Sequence, residues 1–135
     1  MKHFGLTLIL FCAFSLMLCA QGGNPQDMEK AIQEKIDQEV EDYASSLKLE
    51  SWQVFYVDSI LNHDYKALQA ELIEMNRNKV SNSDLYVIAQ DKWMEKIYTS
   101  FQRVFNDEQW AKYLKTGGAK EKKARDKRAA KRNGK

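Results

Sequence analysis

Histidine followed by aspartate, His63-Asp64, is the pairing in this chain that most invites proton transfer or metal binding. A zinc site needs three or four converging ligands. The other histidine, His3, and both cysteines, Cys12 and Cys19, lie in the opening 20 residues, so no second imidazole or thiolate accompanies His63 in the body. A Ser-His-Asp arrangement cannot be argued from a single histidine. Carboxylates are dense between Asp27 and Asp42, but an exposed acidic helix lacks the burial that tunes carboxylates for acid–base work. No catalytic residue, metal site or cofactor is expected, and the chain reads as a binding protein, not an enzyme.

What remains is electrostatic and apolar contact. Residues 119–135 hold nine Lys/Arg and two acids, a net of +7, whereas residues 21–118 hold 11 Lys/Arg and 17 acids, a net of −6. The overall +2 thus hides an acidic body joined to a basic tail. Lys120, Lys122, Lys123, Arg125, Lys127, Arg128, Lys131 and Arg132 are the polyanion-binding candidates. No apolar side chain larger than Ala follows Gly118, so contact with an anionic membrane would rest on charge alone. Docking on the acidic first helix, of this or a neighbouring subunit, is the competing reading. Nucleic acid is not expected, since an exported protein seldom meets it. The expectation is a mobile, salt-sensitive tail that does not help the domain fold.

Export itself is read from the opening residues. Lys2 and His3 precede an uncharged run from Phe4 to Ala20, 17 residues long, with small residues at Ala20, Gly22 and Gly23. That is short of the roughly 20 residues a membrane-spanning helix needs and has the layout of a secretory signal peptide. Cleavage before Gln21 would remove both cysteines; lipidation at Cys19 is the second reading. The division expected is 1–20 signal peptide, 21–118 helical domain and 119–135 basic tail, in a periplasmic protein.

The body should be all-α. Pro25 is the one proline and no glycine lies between 24 and 116, which removes the turn residues a β-rich fold needs. Met28, Ile32, Ile36, Val40, Tyr43 and Leu47 recur at helical spacing, a thin stripe on a helix so acidic that it should cover an edge of the core. Val54, Val57, Leu61, Leu68, Leu72 and Met75 mark a second helix, with Phe55, Ile60 and Ile73 beside that line. Tyr86, Ala89, Trp93, Ile97, Phe101 and Val104 mark a third, after the polar break Ser81-Asn82-Ser83-Asp84. A short break between long helices predicts an antiparallel hairpin. A fourth segment runs from Asp107 to Lys115. Val54 to Val57 are four consecutive apolar positions that point all around a helix, so Trp52, Phe55, Tyr56, Ile60 and Ile73 are candidates for a client or dimer surface.

Two pentapeptides share a spacing: Leu49-Glu50-Ser51-Trp52-Gln53 and Phe105-Asn106-Asp107-Glu108-Gln109. Asn106 and Gln109 form a capping-box pattern, and Phe105 can staple onto Trp110. In the first copy Ser51 competes with Glu50 for the N-cap. With this pairing, the chain resembles the Spy/CpxP family of bacterial periplasmic proteins, whose hallmark is a pair of Leu-Thr-x-x-Gln motifs. Leu49/Gln53 and Phe105/Gln109 keep the apolar lead and the Gln; Glu50 and Asn106 stand where the family has Thr. The resemblance covers residues 45–116. It implies a thin, cradle-like helical dimer that binds unfolded envelope proteins or sensor partners and, in some members, metal. The resulting expectation is a chaperone-like homodimer; the alternative is a regulatory or scaffolding envelope protein with one folded partner.

Overall fold

The computed structural model describes residues 24–134; the expected signal peptide and the Cys19 alternative lie outside the described residues. Asn24 opens the first helix, α1 (Pro25–Leu47), its side chain accepting from the Gln26 N–H at 3.2 Å. Pro25 sits in the first turn, where a missing N–H leaves no bond unmade. The helix ends at Lys48, which takes the left-handed conformation (φ 52°) and reverses the chain. α2 (Ser51–Arg77) runs to a turn around Lys79, and α3 (Ser83–Val104) returns beside it, capped by Asn82. A short α4 (Asp107–Tyr113) follows, then a wide turn, Leu114–Gly118, and α5 (Ala119–Asn133). No strand occurs among the described residues. The all-α reading holds, with α2 and α3 as the antiparallel hairpin.

The core has two parts. At the end where the pentapeptides lie, Ile36, Leu47, Val57, Leu61, Tyr65, Ile97, Phe101 and Phe105 are buried together. Toward the hairpin tip, Leu68, Leu72 and Ala89 form a second cluster with Met75, Tyr86, Trp93 and Met94. Every member of that cluster belongs to α2 or α3. Ala89 is the small residue that lets the helices close there. Glu71 clamps this end, accepting from Lys92 Nζ at 2.6 Å and Trp93 Nε1 at 2.7 Å.

The place of α1 corrects the expectation that it covers an edge. Ile36 is fully buried in the main cluster, and the Tyr43 ring meets Phe101 at 5.3 Å. A thin stripe suffices because its members are large and point into the junction of three helices.

One half-buried carboxylate gives a pH prediction. Glu39 accepts from the Tyr65 hydroxyl at 2.8 Å and lies 3.5 Å from Lys35 Nζ. Burial raises the Glu39 pKa above the ordinary glutamate range, outweighing Lys35 and Tyr65. Burial, with Glu39 alongside, also pushes the Tyr65 hydroxyl well above its usual range. A folded pKa above the unfolded value means the protonated form favours folding. That contribution is complete below the unfolded pKa and is lost as pH rises through the folded one. Glu39→Gln keeps an acceptor for Tyr65 and removes the desolvated charge. It should raise the melting temperature by a few degrees at neutral pH, with the gain vanishing near about pH 4. A variant less stable than the parent at pH 7 would show that the Lys35 pair outweighs desolvation.

Candidate functional site

Each pentapeptide occupies a junction between helices, and the structure brings the two junctions together. In the second, Asn106 is the N-cap of α4, accepting from the Gln109 N–H at 2.9 Å while Gln109 Oε1 accepts from the Asn106 N–H at 3.0 Å. In the first, Glu50 and not Ser51 stands at the N-cap of α2. Gln53 Oε1 accepts from the Glu50 N–H at 2.9 Å. The carboxylate of Glu50 also accepts from Trp52 Nε1 at 2.7 Å.

The two glutamines then meet. Gln53 Nε2 donates to Gln109 Oε1 at 2.7 Å, and Gln109 Nε2 donates to Gln53 Oε1 at 3.0 Å. Gln53 Nε2 also donates to the Val104 carbonyl, at the end of α3, at 2.9 Å. Both side chains are buried. A buried primary amide must have its donors and acceptors matched, and here each amide serves the other and its own cap. The pair joins the start of α2, the end of α3 and the start of α4 across 56 residues of sequence. Helix capping was legible at both motifs. That the motifs touch was not, because local spacing carries no distance between segments.

Phe105 and Trp110 both pack in the main core, in an aromatic group centred on Tyr113. The ring neighbours of Phe105 are Phe101 at 5.0 Å and Tyr113 at 5.8 Å, while Trp110 turns to Tyr98 at 4.9 Å and stacks on Tyr113 at 5.2 Å. Tyr113 is the hub of this aromatic group, meeting Tyr43, Tyr98, Phe101, Phe105 and Trp110. Leu49 is half-buried against the same core.

The surface candidates separate into two groups. Trp52, Phe55 and Tyr56 are 51%, 67% and 51% exposed and touch one another, with ring centroids 6.1 Å and 5.8 Å apart. They form an aromatic edge at the start of α2, next to the Gln53 junction. Ile73 is also exposed, yet it lies five turns beyond Phe55, roughly 27 Å along the helix. Ile60 is half-buried against the main core, so it is largely a packing residue. The single wide surface expected from these five side chains is therefore an aromatic edge plus a separate isoleucine. Leu85 and Ile88, on α3, are exposed too and were not anticipated.

His63 Nδ1 lies 2.7 Å from Asp64 Oδ1, with His63 facing solvent and Asp64 buried. Among the described residues no group of three or more His, Asp or Glu side chains is arranged to hold a metal ion. None of the described helices is long and apolar enough to cross a membrane.

The basic tail departs most from expectation. It is the helix α5, packed on α3 and not on this chain's own acidic α1. Arg128 forks onto Asp91 at 2.6 and 3.0 Å, and Arg132 adds a contact to the same carboxylate at 3.5 Å. Glu95 receives Arg125 at 3.2 Å and Lys122 at 3.0 Å. Arg125 is only 7% exposed, and its guanidinium lies 5.5 Å from the Tyr98 ring centroid. Two acids one turn apart thus outcompete seven on α1. The Asp91 side chain is only 12% exposed, and a pair withdrawn from solvent is screened less than an exposed one. Arg125, Arg128 and Arg132 are spaced three and four residues apart. This helical stripe of arginine was the available signal.

No protein-family model, curated protein or solved structure matches the chain.

Proposed function

We propose that this chain is an exported, non-catalytic periplasmic binding protein of the Spy/CpxP kind. It acts as a homodimer and is chaperone-like towards unfolded or stress-exposed envelope proteins. The observation that carries this reading is the aromatic edge of Trp52, Phe55 and Tyr56, three large side chains left half or more exposed beside the paired-motif junction. Apolar groups rimmed by polar ones are what an unfolded chain needs for transient contact. The joined motifs support the family resemblance, since both copies keep the residue that makes the joint.

The test is light scattering from a chemically unfolded client. The protein should suppress aggregation at near-stoichiometric ratio. A variant with Trp52, Phe55 and Tyr56 all changed to serine should need at least about tenfold more protein, since aromatic anchors dominate contact energies. Its helical signal and melting curve should change little, because the three side chains are already exposed. Equal suppression by both proteins would remove the edge from the binding surface. No suppression by either would remove the chaperone reading, and a single stoichiometric partner from envelope extract would favour a regulatory or scaffolding role instead.

A further inference from the structure

The basic side chains of α5 divide by type. All three arginines turn to α3: Arg125 is buried, and Arg128 and Arg132 are half-buried on Asp91. Lys122 joins them through Glu95 and also binds Asp126, the exposed acid of the helix, at 2.6 Å. Lys120, Lys123, Lys127 and Lys131 are exposed and make no ion pair or hydrogen bond among the described residues. Their spacing of three, four and four places them on one side of the helix within about 80° of arc, as a row roughly 16 Å long. The residues interleaved with the row bring no large apolar group; Ala124 and Ala130 are the nearest fillers.

We infer that this lysine row is a docking face for an anionic lipid surface, on which α5 lies flat while its arginine side holds the body. The division of labour follows from side-chain chemistry. Guanidinium matches a carboxylate in fixed, forked geometry, and Arg128 does this on Asp91. Ammonium is a hydrated point charge on a flexible stem and needs no fixed geometry. A row of four such charges fits a fluid field of lipid phosphates better than a carboxylate array of set spacing. The acidic α1 of a second copy is the rival, but its exposed acids are interrupted by Lys30 and partly engaged by Lys30 and Gln33. Docking of the tail also changes what a membrane meets: a preformed helix with an ordered row loses less freedom on binding than a mobile tail.

The experiment is co-sedimentation of the chain from Gln21 onward with vesicles of phosphatidylcholine containing one-third phosphatidylglycerol, against phosphatidylcholine alone. The body in this form is the packed unit described above and lacks the apolar leader, which would insert by itself. Binding should appear on the anionic vesicles only, and should fade between about 0.1 M and about 1 M salt as the Debye length falls from about 10 Å to about 3 Å. Changing Lys120, Lys123, Lys127 and Lys131 to glutamine should weaken it by about 600-fold, at roughly fivefold for each lysine. All four residues are exposed, so helicity and melting should be retained. A control changing Lys30, Lys66, Lys79 and Lys112 to glutamine removes the same net charge elsewhere and should weaken binding far less. Equal loss in the two variants would reduce the effect to net charge and overturn the proposal. So would binding to neutral vesicles, or salt-sensitive self-association without vesicles that the row variant abolishes.

Discussion

Gln109→Ala is expected to destabilise the fold by about 3–4 kcal/mol, because its amide completes three buried or part-buried hydrogen bonds at once. Truncation strands the Asn106 N–H, which Gln109 Oε1 receives at 3.0 Å, and removes both partners offered to Gln53. Each stranded buried group costs on the order of 1–3 kcal/mol, whereas a satisfied hydrogen bond contributes only about 1 kcal/mol net. The asymmetry makes the single variant worse than a count of lost bonds suggests. Gln53→Ala should behave alike, with the Val104 carbonyl and the Glu50 N–H left open. Once one amide is gone, removing the other relieves its stranded groups. Chemical denaturation of both single variants and the double should therefore give a coupling energy of about 2 kcal/mol. Strictly additive losses would mean that the two junctions are held independently and the amide contact is incidental.

Gly118→Val should cost about 2–3 kcal/mol through overpacking. A Cβ at this position would sit 2.5 Å from Tyr113 Cε1, 2.8 Å from Cδ1 and 3.0 Å from Cζ. The ring has nowhere to retreat. It stacks on Trp110 at 5.2 Å and meets Phe101 at 5.7 Å, Phe105 at 5.8 Å and Tyr43 at 6.0 Å. The turn cannot easily swing aside either, since Gly117 already stands at φ 137°, a region that side-chain-bearing residues rarely enter. The strain should fall on α5, loosening Arg125 and Arg128 from α3 and speeding amide exchange from Ala119 to Asn133. Ala119→Val is the control. It is one residue on and exposed, so it should cost only the β-branched helix penalty of about 0.5 kcal/mol. Indistinguishable stabilities for the two valine variants would show that the turn relaxes and the close approach carries no constraint.

The helices were readable because their signals are local. Stripes such as Leu61, Leu68 and Leu72, the polar break before Asn82 and the Asn106–Gln109 cap each lie within a few residues of what they determine. What escaped is contact between distant segments. Gln53 and Gln109 could be read as caps singly, but their meeting depends on how α2 and α3 align. Gly117-Gly118 reads as a stop when composition is the guide. In the fold it is a close approach of backbone to the Tyr113 ring, after which helix resumes. Charge counted over segments does not locate the tail: α1 holds more acids, but Asp91 and Glu95 stand one turn apart on α3 and receive Arg128, Arg125 and Lys122. At the aromatic edge, four successive apolar positions announced that something must face outward, and Phe55 and Tyr56 do. The same reasoning overreached at Ile60, which finds room against the core.

The paired glutamines also bear on how the hairpin selects its alignment. Apolar seams between antiparallel helices tolerate sliding, because one leucine or isoleucine can take the place of the next a turn away. Amides have no such tolerance. A slide of one turn, about 5.4 Å, would part atoms now 2.7 and 3.0 Å from one another and leave them facing hydrocarbon. Every slipped arrangement is thereby made costly while the native one is merely satisfied. The pair works as a register pin: it does little to hold α2 against α3, and much to rule out the neighbouring ways in which they could lie.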